Sequence, residues 1–451
     1  MKSVPRRTVS PLSKWVRVCG LAAAGCALVS APGARGQAAG PAAAQPSTVP
    51  VYQLPRPDYD PAGIRLDTFL LLPTLSEQLG YDDNIFASDR FQTGDTVNTT
   101  SESVALNSQW ARDALKARLF AAQEIYFRHS ANNGYVWGGE TTGHYEPSAQ
   151  AAFDFDASLI QQPLRRGTPE FTDAAKRPVF NTLDLDGGYV QRLTDASNRM
   201  ELSVRQIAYI ASDDGTRSGT RYTGTDRFSY DISAGMSVFV QGSYAEHNWR
   251  RRSELRDFSL LTGLAGMTFE LPERFQAEFG AGVLREDFRN SAFDSLVAPI
   301  VSEQMIWNVL PLTSIIANVG RTVIGTETFC DSSAGSCISA SGGALPGTAP
   351  FGQIRSTLDT TFAEIGVQHE FYHDLLGLVR LRDQRDHFDF NGLTDRTYVL
   401  SLNLRYLINR NLTADLDYIY RNRSANLPND RTFNSGPFTE NVVSVSLRAG
   451  L

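Results

Sequence analysis

Between Tyr398 and Ile408 every second residue is apolar, with Tyr398, Leu400, Leu402, Leu404, Tyr406 and Ile408 on one side and Ser401, Asn403 and Arg405 on the other. Side chains alternate across a strand, so this segment has one greasy face and one wet face. The pattern recurs along the chain. Leu412, Ala414, Leu416, Tyr418 and Tyr420 oppose Thr413, Asp415, Asp417 and Arg421; Leu115, Ala117, Leu119, Ala121, Ile125 and Phe127 oppose Lys116, Arg118 and Glu124; Phe275, Ala277, Phe279, Ala281 and Val283 oppose Gln276, Glu278 and Glu286. No stretch of any length carries helical periodicity. The fold class that follows is all-β.

A soluble sandwich also alternates, so length and rhythm must decide. Many segments run well past the usual five or six residues, whereas crossing lipid at a tilt takes about 9 to 11. Tyrosines such as Tyr398 and Tyr406 sit at both ends of an apolar face, where an interfacial girdle would lie. The alternating segments fall at 63–79, 101–111, 114–128, 133–146, 150–162, 178–193, 198–212, 224–236, 238–250, 255–271, 274–289, 297–309, 313–325, 354–371, 375–389, 395–408, 411–423 and 438–451. Every second connection is tight, while the others include long ones at 80–100, 163–177, 326–353 and 424–437. Short turns on one side and long loops on the other describe a transmembrane antiparallel up-and-down barrel of about 18 strands. Residues 129–150, with Pro147, leave room for 16. Val443, Val445, Leu447, Ala449 and Leu451 carry the alternation to the last residue, the kind of strand that barrel-assembly machinery is expected to read.

The address agrees with an exported barrel. Lys2, Arg6, Arg7, Lys14 and Arg17 precede an apolar run from Val18 to Ala31, which reads as a signal peptide over residues 1–36. Ala23-Ala24-Gly25-Cys26 loosely resembles a lipoprotein cleavage site, but the apolar run continues past Cys26. Losing residues 1–36 would remove six of the 42 basic residues and none of the 49 acidic ones. So acidic a chain is a poor nucleic-acid binder. Residues 37–62, rich in Pro and Ala, read as a mobile leader, and residues 63–451 as the barrel. Cys330 and Cys337 read as one loop disulfide. No later stretch reaches the ~20 apolar residues of a spanning helix.

The segment "GIRLDTFLLLPTLSEQLGYDDNIF", residues 63–86, resembles the opening of the β-barrel porin 2 family of Gram-negative outer membranes. In that family an apolar first strand with an internal proline leads into a Tyr-Asp-Asp-Asn signature, here Tyr81, Asp82, Asp83 and Asn84. "GTPEF" at 167–171 before a strand matches the rhythm. The resemblance implies a pore-like barrel in the cell outer membrane, often associated with exopolysaccharide export and hence with periplasmic export components. The Asx side chains of the signature suit turn capping. The sharper alternative is a calcium site completed by Asp89 or Asp95.

Chemistry beyond a pore is sparse. Six histidines (His129, His144, His247, His369, His373 and His387) are scattered, and only His369 and His373 share a face nearby, with no third ligand. No catalytic pair, metal site or cofactor site is expected; a lipid-modifying barrel enzyme and a surface-binding barrel are the competing classes. On the face opposite the lipid, Arg380, Arg382, Arg405, Arg421 and Arg448 would form a basic wall next to an acidic one of Glu270, Glu278, Glu286, Glu364 and Glu370, interrupted by Asp415 and Asp417, with a field across the lumen.

Overall fold

The computed structural model describes residues 48–167, 176–210, 218–250, 257–289, 295–325, 357–388, 393–425 and 437–451, with short pieces between 329 and 345. Eighteen strands form the wall: β1 (Phe69–Asp82), β2 (Asp95–Ser108), β3 (Ala114–Tyr126), β4 (Gly134–Ser148), β5 (Ala151–Pro163), β6 (Val179–Arg192), β7 (Ala196–Tyr209), β8 (Gly219–Ser233) and β9 (Met236–Trp249), then β10 (Phe258–Leu271), β11 (Phe275–Phe288), β12 (Leu296–Leu310), β13 (Thr313–Gly325), β14 (Thr357–Tyr372), β15 (Leu375–Phe388), β16 (Leu393–Asn409), β17 (Leu412–Ala425) and β18 (Phe438–Gly450). Each pairs antiparallel with its neighbours in the chain, and β1 pairs with β18 from Thr74 opposite Gly450 to Asp82 opposite Val442. The sheet is therefore closed and has no free edge.

The two faces invert the arrangement of a soluble protein. Leu75, Leu79, Leu119, Leu202, Val240, Leu261, Val283 and Val445 are exposed on the outside, while Gln78, Thr225, Gln241, Glu278, Ser444 and Ser446 are buried inside. Hydrocarbon around the barrel makes the outer face favourable. The interior is polar over much of the wall, but inside β9 to β13 Phe258, Leu260, Leu264, Leu284 and Ile300 form a buried apolar cluster. No helix among the described residues is long and apolar enough to cross a membrane. Outward aromatic side chains collect at both levels of the wall. Tyr145, Phe153 and Tyr189 pack together near the tight turns, with ring centroids 6.5 and 5.0 Å apart. Tyr81, Tyr135 and Tyr398 lie toward the long-loop end. The tight turns are as short as Ala234-Gly235, where Gly235 takes a φ of +93° and an added Cβ would stand 2.3 Å from the Glu270 carbonyl.

Several strand limits differ from the sequence reading. The first segment is two pieces: a three-residue strand Ile64–Leu66 folds back on Phe69–Leu71, and β1 then runs to Asp82. β2 starts at Asp95, not at residue 101, so the first long loop spans 83–94. Its outer half was illegible because the outward positions Asn98 and Thr100 are polar. They donate to the outward Glu77 carboxylate at 2.7 Å each, so no apolar alternation marks them. The ambiguous stretch resolves as β4, in which Pro147 sits at an irregularity between Tyr145 and Ser148. Inside 326–353 the backbone forms a small sheet (Phe329–Asp331, Ser336–Ile338, Ala344–Leu345) that sets Cys330 opposite Cys337; their side chains, and with them the disulfide, lie outside the described residues. Residues 168–171 of "GTPEF" lie outside them as well.

The leader shows the largest difference. Of residues 48–62, expected to be mobile, 48–56 run inside the lumen at the tight-turn end, with Thr48, Val51 and Arg56 buried, and 57–62 are largely exposed. Proline-rich chain cannot join a ladder, but its free backbone groups and side chains can bond to a polar wall, and here they do.

Candidate functional site: the charged lumen and its two mouths

At the tight-turn mouth the strap formed by residues 48–62 crosses the inner face of β12 to β16. Asn308 Nδ2 donates to the Val49 carbonyl at 3.0 Å, Val51 N–H to Ser314 Oγ at 2.8 Å, and Tyr52 N–H to Gln368 Oε1 at 3.0 Å. Tyr52 OH reaches Asn403 Oδ1 at 2.9 Å, and the Arg405 guanidinium stacks over the Tyr52 ring at 5.4 Å. Burial pushes the Tyr52 phenol above its ordinary range, against the pull of Arg405. Arg56 anchors the strap by an ion pair with Glu370 at 2.8 Å and by bonds to the Leu54 and Val51 carbonyls.

All ten charged residues proposed for the lumen alternate onto the inward face. They do not form a basic wall next to an acidic one. Glu364 sits between Arg380 and Arg382 at 3.7 and 3.6 Å, and Arg405 and Arg448 share Asp415 at 2.7 and 3.7 Å. Arg421 pairs with Glu440, Glu370 with Arg56, and Glu278 with Arg227 at 2.8 Å. Glu286 is fully buried and feels the charge of Arg221 nearby. Glu270, at the tight-turn end of β10, has no ion pair among those described. The segregated field thus gives way to local neutralisation, because an inward charge shielded from water requires a partner.

Sequence reasoning missed half of this lining. Arg227 lies between the Glu278 carboxylate and the Phe239 ring, 3.7 Å from its centroid. On β4 to β7, His144 bonds to Asp154 at 2.6 Å, Arg199 bridges Asp154 and Glu201 at 3.3 and 2.6 Å, and Arg205 meets Asp184 at 2.5 Å. The same alternation that marked β14 to β18 would have found them.

At the long-loop mouth the Tyr-Asp-Asp-Asn signature closes the seam between first and last strands. Tyr81 and Asp82 belong to β1, so only Asp83 and Asn84 open the loop. Asp82 Oδ1 accepts from the Asn84 N–H at 2.8 Å, a turn cap. Asp83 accepts from the Asn441 backbone N–H and from Asn441 Nδ2, both at 2.7 Å, and Asn84 Nδ2 donates to the Thr439 carbonyl at 2.8 Å. Ile85 and Ala87 follow into the interior. Of the oxygens in the calcium alternative, those of Asp95 accept from His129 and from the backbone N–H groups of Arg128 and His129. No cluster of three or more metal-ligating side chains occurs among the described residues. Below this staple a pocket is lined by Asp82, Glu124, Tyr126, Arg165, Arg177 and Glu440. Arg177 pairs there with Glu124 at 2.8 Å, and Arg166 stacks over Phe86 at 5.0 Å.

The histidines are accounted for individually. His369 meets Thr313 at 2.9 Å on the outer face, while His373 meets Glu370 at 3.3 Å and the Tyr59 ring edge, so the two do not converge. His247 stacks between Trp249 and Phe258, and His387 meets Thr394.

Comparison with known proteins gives three kinds of result. No curated protein matches the chain. Among solved structures, the outer membrane protein OpdK of Pseudomonas aeruginosa is 9% identical, with 84% of this chain and 99% of that one covered and a TM-score of 0.42. OccAB4 of Acinetobacter baumannii is 10% identical over 84% and 98% with a TM-score of 0.42, and a BenF-like porin of Pseudomonas fluorescens 8% identical over 86% and 100% with a TM-score of 0.44. A family model described as "Putative beta-barrel porin 2" matches residues 56–343 and 353–450, nearly the whole described barrel together with the end of the strap. By that match the chain belongs to the beta-barrel porin 2 family.

Proposed function

We propose that this barrel sits in the outer membrane and passes small polar solutes by diffusion. The observation that carries the reading is the Arg380–Glu364–Arg382 group on the inner face of β14 and β15. Its separations of 3.6 and 3.7 Å are loose, and the side chains keep between 19% and 37% of their exposure, so this stretch of wall meets solvent in the lumen. Barrels of 16 to 18 strands are wide enough to hold an aqueous channel, and exposed charges within one act on the ions and dipoles that enter. The strap at one mouth and the first long loop at the other narrow the path. An exopolysaccharide cargo, implied by the family resemblance, has no observation in the lumen to carry it. The partners in this reading are outer-membrane lipid and the assembly machinery that inserts barrels.

Reconstitution of the purified chain in planar bilayers is the test. Discrete conductance steps in potassium chloride are expected, with a reversal potential that moves toward anion preference when Glu364 is changed to Gln. A folded barrel that gives no steps, with the strap present or deleted, would be a closed structural barrel and would end the proposal.

A further inference from the structure

The outward face of β13 to β16 carries charge at the level where lipid headgroups begin. Strand register sets Arg321 opposite Thr361, Thr361 opposite Arg385, and Arg385 opposite Arg396, one row across four strands. The row faces out: Thr361 shares its side with the exposed Ile365 and Val367, Arg385 with Val379 and Leu381, and Arg396 with Leu402 and Leu404. Its height is set by Tyr398, two residues below Arg396, whose ring lies 4.6 Å beneath the Arg396 guanidinium. Tyrosine at the long-loop end of an apolar face marks the membrane interface, so the row stands at its outer edge.

Two of the three arginines are held by carboxylates. Arg321 pairs with Asp359 through bonds of 3.1 and 2.7 Å, and Arg396 pairs with Asp383 through bonds of 3.0 and 2.8 Å. Arg385, exposed between them, has no partner among the described residues. It stands directly opposite Arg396, so the two Cβ atoms lie roughly 5 Å apart and the like charges repel. His387, two residues further along β15 on the same face, bonds to Thr394 at 2.9 Å. A row of three guanidinium groups against two carboxylates, with two cations adjacent and one lacking a partner among the described residues, is complementary to an anion with several oxygens.

We propose that this row binds the phosphorylated headgroup of an outer-leaflet glycolipid, with Arg385 as its centre and the guanidinium groups of Arg396 and Arg321, each held along one edge by its carboxylate, on either side. Phosphate suits the row because planar guanidinium groups donate in pairs to its oxygens, and one dianion relieves the Arg385–Arg396 repulsion. The row points away from the lumen, so the occupant is a lipid of the bilayer and not a solute in transit. The assignment rests on the barrel lying in the outer membrane; cell fractionation judges that location separately from the binding measurement.

The full chain would be folded into phosphatidylcholine nanodiscs containing either bisphosphorylated lipid A or the same lipid with its phosphates removed, and retained lipid counted by native mass spectrometry. The wild type is expected to hold the phosphorylated form in preference. R385A and R385Q should lower that retention about tenfold, the loss of one charge-assisted contact, and R285A, at another outward arginine, should leave it unchanged. Heat-modifiable gel migration shows which variants are folded, and the Gln variant serves if Ala is not. Equal retention of the two lipids, or equal retention by wild type and R385Q, overturns the proposal. Displacement of the lipid by millimolar inorganic phosphate would also overturn it, pointing to a soluble-anion site.

Discussion

Arg56 of the strap donates to Glu370 of β14 at 2.8 Å, and the two side chains keep only 5% and 10% of their exposure. The pair joins a segment that precedes the first strand to the fourteenth, so it reports whether the strap stays in place. Arg56→Ala would leave the shielded Glu370 carboxylate with only the His373 ring at 3.3 Å, a loss approaching the about 3–5 kcal/mol of a broken buried pair. The strap should then leave the lumen. Earlier protease cleavage within residues 48–62 and larger conductance steps are the expected signs; steps of unchanged size would show that the strap does not narrow the path.

Buried and exposed ion pairs of the lumen should behave differently. Arg227 and Glu278 keep 6% and 9% of their exposure, so Glu278→Gln takes the carboxylate charge from a buried guanidinium and should lower unfolding stability by about 3–5 kcal/mol in urea titrations. Glu364→Gln, at a loose and part-exposed group, should cost about 0–1 kcal/mol while moving the reversal potential. Equal stability losses would contradict the distinction.

Asp83→Ala tests the staple between first loop and last strand. It removes the acceptor for both the backbone and side-chain donors of Asn441, which should cost about 1–3 kcal/mol. The barrel should still fold. Hydrogen exchange at the Asn441 amide should accelerate with little change at Val445, deep in β18.

Leu402→Arg tests which solvent covers the outer face. Leu402 is exposed and faces outward near the middle of β16, so an arginine there should oppose folding into bilayers by about 2–4 kcal/mol. Leu402→Phe should fold normally. A harmless Leu402→Arg would mean that protein or water, not hydrocarbon, meets that surface.

Strand number and the side of the wall that each residue faces were legible because both follow from alternation, a property of neighbours in the chain. Limits failed where alternation had other causes, as at Asn98 and Thr100, whose outward amide and hydroxyl serve Glu77. Which charges meet was not legible. Arg227 and Glu278 come from strands three apart, and no spacing in the sequence records that they converge over Phe239. The strap was misread for a related reason: composition describes how well a segment builds its own core, and residues 48–62 use the lumen's polar groups instead.

The strap's position also sets an order of events during biogenesis. Its binding surface spans β12 to β16, from Asn308 to Asn403, so a segment made before the first strand lodges only against strands made more than 250 residues later. Its docking therefore requires those five strands to be in place, whichever end of the wall is laid down first.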